Sequence, residues 1–142
     1  MEMKSSGDIL IVKLGPGDSY IECLIEACKK GGARTAVVIS SIGQFVEASL
    51  GYYVSKGDYS PMSISVPHEL VSVSGIISAD EEGHSAHLHA SLAGPDKEVI
   101  GGHLLKGTVG LTCETVLLSI DTDLRRIVKG PAGIKELSFG PF

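Results

Sequence analysis

The chain lacks most of the features that would place it outside the cell interior or on nucleic acid. No apolar run approaches the ~20 residues that a membrane-spanning helix needs. The opening stretch, Met1 to Asp8, is polar and has no signal-peptide core. Cysteine is scarce: Cys23, Cys28 and Cys113 are an odd set with no Cys-x-x-Cys pair. That excludes a disulfide framework and a zinc ribbon and fits reduced thiols in a cytoplasmic protein. Positive charge is also short, with 12 Lys and Arg against 17 Asp and Glu and a formal net charge of −5. Such a chain has no overall field drawing it onto phosphate backbones. Residues 1–100 carry 7 cations against 13 anions, and residues 101–142 carry 5 against 4. Arg125, Arg126, Lys129 and Lys135 form the one local basic cluster. No nucleophile motif, phosphate-binding glycine loop or nucleotide fingerprint is present.

What is there suits one domain, residues 1–142, with a real core. The hydrophobic fraction of 43% excludes wholesale disorder. Asp8 to Leu14 reads as a strand closed by Gly15-Pro16-Gly17. Ser19-Tyr20-Ile21-Glu22 matches a capping box, and Ile21, Leu24, Ile25 and Cys28 make one apolar helical face. Lys29 and Lys30 suit the negative end of that helix, and Gly31 supplies its stop.

Strand patterns follow over Thr35–Ser40, Phe45–Val54, Ser60–Val66, Glu69–Ser78, Ser85–Ala93, Glu98–Ile100 and Thr112–Ile120. Turns fall at Ser55 to Asp58, Asp80 to Gly83 and Gly94 to Asp96. Arg125–Val128 and Ile134–Phe139 form a terminal hairpin. The expected class is α+β, mostly antiparallel sheet with one main helix near the N-terminus. Thr112–Ile120 is apolar on both faces and requires a second covering surface: the helix, another layer or another subunit.

The informative stretch is His84-Ser85-Ala86-His87-Leu88-His89-Ala90-Ser91-Leu92. Strand alternation puts Ala86, Leu88, Ala90 and Leu92 on a core face. It puts His87 and His89 together on the other, with Cα atoms roughly 6.5–7 Å apart. If the next segment returns antiparallel, His103 of Gly101-Gly102-His103 joins them, and the glycines let the backbones close in. Three imidazoles leave a fourth position for water or substrate, as in catalytic zinc sites. The same donors also suit other divalent transition metals. His84 and His68 read as surface residues. Glu114, alone in an apolar strand, is the candidate acid/base or partner of a ligand histidine, with an exposed edge position as the alternative.

In order along the chain, several segments resemble the plants and prokaryotes conserved (PPC) domain. They are Gly15-Pro16-Gly17-Asp18, Ala36 to Gly43, Leu50-Gly51-Tyr52-Tyr53, Glu69 to Gly75, His87-Leu88-His89, Gly101-Gly102-His103 and Glu114 to Leu118. The resemblance covers about Ile9 to Phe139. It implies an α+β sheet fold with helical cover, a homotrimer, and a metal, usually zinc, on His87, His89 and His103. The family fold is similar to that of acetolactate decarboxylase, a zinc enzyme with histidine ligands; fold likeness transfers no activity. The family is also commonly labelled as DNA-binding. Plant members read DNA with a separate Arg-Gly-Arg-Pro arm, which is missing here. The segment Val66-Pro67-His68-Glu69-Leu70-Val71 lacks the arginine and phenylalanine of the plant partner-binding motif.

The expectation is a stand-alone metal-binding homotrimer with no membrane span. The alternatives are a zinc enzyme acting on a small oxygenated substrate, and a DNA-binding protein using an assembled basic patch.

Overall fold

A computed structural model describes residues 1–80 and 83–140. The elements run β1 (Glu2–Ser6), β2 (Ile9–Leu14), α1 (Tyr20–Lys30), β3 (Thr35–Gly51), β4 (Met62–Ile64), β5 (His68–Asp80), β6 (Gly83–Ala93), β7 (Val99–Ile120), β8 (Leu124–Lys129) and β9 (Ile134–Phe139). Strand accounts for 66% of the structure, so the α+β expectation holds only loosely. Among the described residues the protein is a mostly antiparallel sheet with one helix against it.

The expected segments Thr35–Ser40 and Phe45–Val54 are one strand, β3, and Glu98–Ile100 and Thr112–Ile120 are one strand, β7. Glycine-containing stretches blurred their alternation in the sequence. The two strands pair along almost their whole length, with register shifts between Val38 and Ser40, Gly43 and Phe45, Phe45 and Glu47, and Ser49 and Leu50. Such irregularities bend and twist a strand. The bending matters because β3 pairs with β5, β5 with β6, β6 with β7, and β7 again with β3. The sheet therefore closes a circuit around Phe45, Val73, Ile77, Leu88, Leu92 and Leu104, all buried. Each large apolar side chain fully buried there contributes roughly 1.5–3 kcal/mol.

The helix lies against β2, β5, β6 and β7. It buries Tyr20, Leu24, Ala27 and Cys28, with Ile21 and Ile25 half-buried. Tyr20 meets Phe45 edge-on at 5.2 Å between ring centroids. The expected capping box is absent: Ser19 occupies the N-cap with no side-chain bond, its backbone bridging Thr108 of β7 instead. At the other end Gly31 keeps right-handed backbone and Gly32 takes the positive φ of 69°. The amides of Gly32 and Ala33 then bond the carbonyls of Lys29 and Cys28, a Schellman closure.

Elsewhere, β1 pairs with β2 as an extra edge strand that the polar start of the sequence did not suggest. The expected Ser60–Val66 strand shortens to β4, three residues paired with β3. The hairpin β8–β9 forms as expected and reaches the sheet through Ala79 opposite Arg125. Glu81 and Glu82 of the expected charged turn lie outside the described residues.

Candidate metal centre

Strand alternation places the three histidines as the sequence indicated. Leu88, Ala90 and Leu92 of β6 face the core, and His87 and His89 face away from it. The return strand β7 is antiparallel, with His103 directly opposite His89. Ring centroids are 5.4 Å apart for His87 and His89, 5.1 Å for His87 and His103, and 5.3 Å for His89 and His103. One ring nitrogen from each lies within 4.8 Å of the others.

Two glycines allow this crowding. A Cβ on Gly102 would sit 2.9 Å from the Gly51 carbonyl oxygen, so β7 reaches β3 there only without a side chain. A Cβ on Gly75 would sit 2.0 Å from the carbonyl oxygen of His87, and its φ is 140°. Gly75 thus lets β5 support the strand that carries two of the imidazoles.

Electrostatics favour the ligating form. Burial holds His87 well below the ordinary imidazole value, at about 4, and the Arg126 guanidinium and the neighbouring imidazoles push the same way. Burial also lowers His103, helped by His89 and Arg126. Both rings are therefore neutral at pH 7, with a lone pair to give. Donors around a tetrahedral zinc at ~2.0–2.1 Å lie about 3.3 Å from one another. The trio, within 4.8 Å of one another, is close to that spacing, so the donor set fits such an ion. With only three protein ligands, a bound ion would keep a position for water or substrate, as in catalytic rather than closed structural sites.

The cavity is about 470 Å³ and is walled by Tyr52, Tyr53, Tyr59 and Ile134. The expected turn at Ser55 to Asp58 folds the 52–59 loop back on itself, with Tyr52 N–H donating to the Tyr59 carbonyl at 2.6 Å. This brings Tyr53 and Tyr59 edge to face at 5.5 Å, and Tyr59 stands 5.5 Å from the His103 ring. The Tyr53 hydroxyl donates to the Ala132 carbonyl at 3.3 Å and ties this loop to the β8–β9 hairpin.

Other sequence candidates fall elsewhere. Glu114 is exposed, opposite Lys13 of β2 and Ile42 of β3, eleven positions along β7 from His103. Within this chain it neither reaches the imidazoles nor lines their cavity; it is exposed as the alternative had it, but not at a sheet edge, because β2 and β3 flank β7 on both sides there. His84 is half-buried, its ring nitrogen 2.9 Å from the Ala33 carbonyl beyond the helix. His68 opens β5 and bonds the Val66 carbonyl at 2.8 Å. Conversely, Tyr59 carried no signal in the sequence. Arg126 was visible only as part of a basic cluster, yet it lines a cavity with His87 and His103.

The sequence model of the Plants and Prokaryotes Conserved domain matches residues 1–121. The chain belongs to this family. Solved structures agree across the domain. A candidate DNA-binding protein from Ralstonia eutropha superposes with a TM-score of 0.88 at 22% identity, over 97% of this chain and 96% of that one. A plant- and prokaryote-conserved protein from Pyrococcus horikoshii gives 0.82 at 21% identity, over 99% and 96%. At those identities they share the fold. A metal-containing protein from Archaeoglobus fulgidus gives 0.82 at 27% identity, over 95% of each chain. No curated protein matches the sequence. Among the described residues, no helix of this domain is long and apolar enough to cross a membrane.

Proposed function

We propose that this Plants and Prokaryotes Conserved domain is a divalent-metal protein, with zinc on His87, His89 and His103, acting as a single-domain homotrimer. The convergence of three ring nitrogens within 4.8 Å at the floor of an aromatic cavity carries the reading. The metal-containing description of the Archaeoglobus relative supports it. A bound zinc would supply a Lewis acid for an oxygen atom. The residues themselves would hold the ion, with Tyr53 and Tyr59 walling its cavity and the fourth side left open.

Assembly is supported by an uncovered apolar face. Ile9, Leu118, Val37, Ile76 and His87 are cross-strand neighbours in one row over β2, β7, β3, β5 and β6. Ile11, Ile39 and Ile42 are more than half exposed nearby. Burying this face in a closed ring of heterologous contacts brings a neighbouring subunit to the rim of the metal centre.

Metal analysis of the purified protein tests the reading directly. One zinc per chain, absent from His87→Ala/His89→Ala, is expected; a metal-free protein that takes up no zinc on titration overturns it. Light scattering should give three times 14.8 kDa.

DNA binding is the second reading, favoured by the description of the Ralstonia relative. The net charge of −5 and the inward turn of Arg126 leave little cationic surface for it. A titration with duplex DNA at ~50 mM salt decides it, because phosphate contacts are strongest at low ionic strength.

A further inference from the structure

Two cavities meet at the imidazoles. The tyrosine-walled chamber described above lies on one side. On the other is a chamber of about 230 Å³ that includes Ser85, Arg126 and Lys135 in its wall. His87, His103, Tyr59 and Ile134 line both. A metal held by the histidines therefore stands between an apolar compartment and a cationic one.

The cationic side is unusual for this chain. The protein carries a net charge of −5, yet among the described residues neither cavity is lined by an aspartate or glutamate. Arg126 is half-buried, and desolvation lowers its pKa from the ordinary arginine value, though a guanidinium stays charged at any working pH. Its terminal nitrogen donates to the Lys135 carbonyl, which fixes the side chain without neutralising it. A guanidinium has five N–H donors in a planar fork suited to carboxylate. With a divalent ion beside it, the two positive centres repel unless an anion lies between them.

We propose that the centre takes a small organic acid, its carboxylate on the Arg126 guanidinium, a neighbouring hydroxyl or carbonyl oxygen toward the metal position, and its apolar remainder among Tyr52, Tyr53 and Tyr59. The proposal rests on the metal reading for its second contact only. The anion contact belongs to Arg126 and the apolar contact to the tyrosines. The combined space suits a ligand of metabolite size.

The test uses the full chain loaded with zinc and titrated calorimetrically with 2-hydroxyisocaproate and with its uncharged amide. The acid should bind, and the amide at least about tenfold more weakly, as expected when a charge-assisted hydrogen bond is lost. Arg126→Gln should bring the acid down to the level of the amide while zinc stoichiometry and far-ultraviolet circular dichroism stay unchanged. Arg126→Lys should recover part of the difference. Equal binding of acid and amide, or undiminished binding of the acid to Arg126→Gln, overturns the proposal. If the protein takes up no zinc, the metal reading fails by itself. Titration of the metal-free chain then still decides the anion contact, since Arg126-dependent binding of the acid sustains it and its absence overturns it.

Discussion

The strand β7 carries two polar clusters with opposite characters. Toward its end, Thr115 meets Ser41 of β3 and Tyr20 of α1 in the core. The Tyr20 hydroxyl donates to Ser41 Oγ at 2.7 Å, and Ser41 Oγ lies 2.8 Å from Thr115 Oγ1, with Cys113 alongside. Burial drives the Tyr20 phenol well above its usual pKa, so it stays a neutral donor. Near its start, His103 meets His87 and His89 at the edge of open cavities. In the first cluster the hydroxyls satisfy one another, as buried polar groups must. In the second, three imidazoles converge on the same point without hydrogen-bonding one another. A polar cluster that closes on itself stabilises a fold; one that converges on a cavity is a candidate binding site.

Substitutions should separate the two clusters. The largest effect is expected for Gly75→Ala, which puts a methyl group 2.0 Å from the His87 carbonyl oxygen at a backbone angle that L residues rarely adopt. It should cost more than about 3 kcal/mol or prevent folding, and in any folded fraction it should weaken zinc binding by displacing β6. Chemical denaturation with a zinc titration measures both. His103→Ala should lower zinc affinity at least about a hundredfold while leaving the metal-free melting temperature within a few degrees, since the ring is half-exposed. An unchanged affinity would separate the site from His103.

Tyr20→Phe should do the reverse. Removing the phenol leaves Ser41 with one partner fewer in the core and should cost about 1–2 kcal/mol with zinc affinity intact.

The pH profile should follow the imidazoles. The folded state holds His87 at about 4, below the ordinary 6.5, with Arg126, His103 and His89 facing it. The unfolded chain thus binds a proton first on acidification. Metal-free stability is full above about pH 6.5 and falls toward pH 4. In His87→Ala this part of the slope should flatten, which denaturant midpoints at several pH values would show. Glu114→Gln should have the smallest effect: zinc affinity unchanged and stability within ±0.5 kcal/mol, as for other exposed positions. A clear loss of metal or ligand binding would mean that a neighbouring subunit brings the carboxylate to the centre.

The sequence alone determined local matters. Period-two alternation put His87 and His89 on one face and Leu88 and Leu92 on the other, because strand side chains alternate whatever the neighbours are. Glycine-aspartate turns marked the ends of strands, and the return of β7 beside β6 followed from the short turn between them. The helix was legible from its apolar face, although its cap was not, since Ser19 spends its backbone on Thr108.

Only the tertiary structure decided how distant segments share a site. Tyr59, Arg126 and Ile134 reach the histidines from a loop and a hairpin far away in the chain, and no local pattern encodes that meeting. Bulges fused four expected strands into two long ones and closed the sheet, a consequence of pairing along β3 and β7 rather than of any residue's own preference. The same closure left Glu114 at the surface, far along β7 from the histidines, and set one arginine of a basic hairpin in a cavity beside the histidine cluster. Residue type specified the donors; the path of the backbone specified what they face.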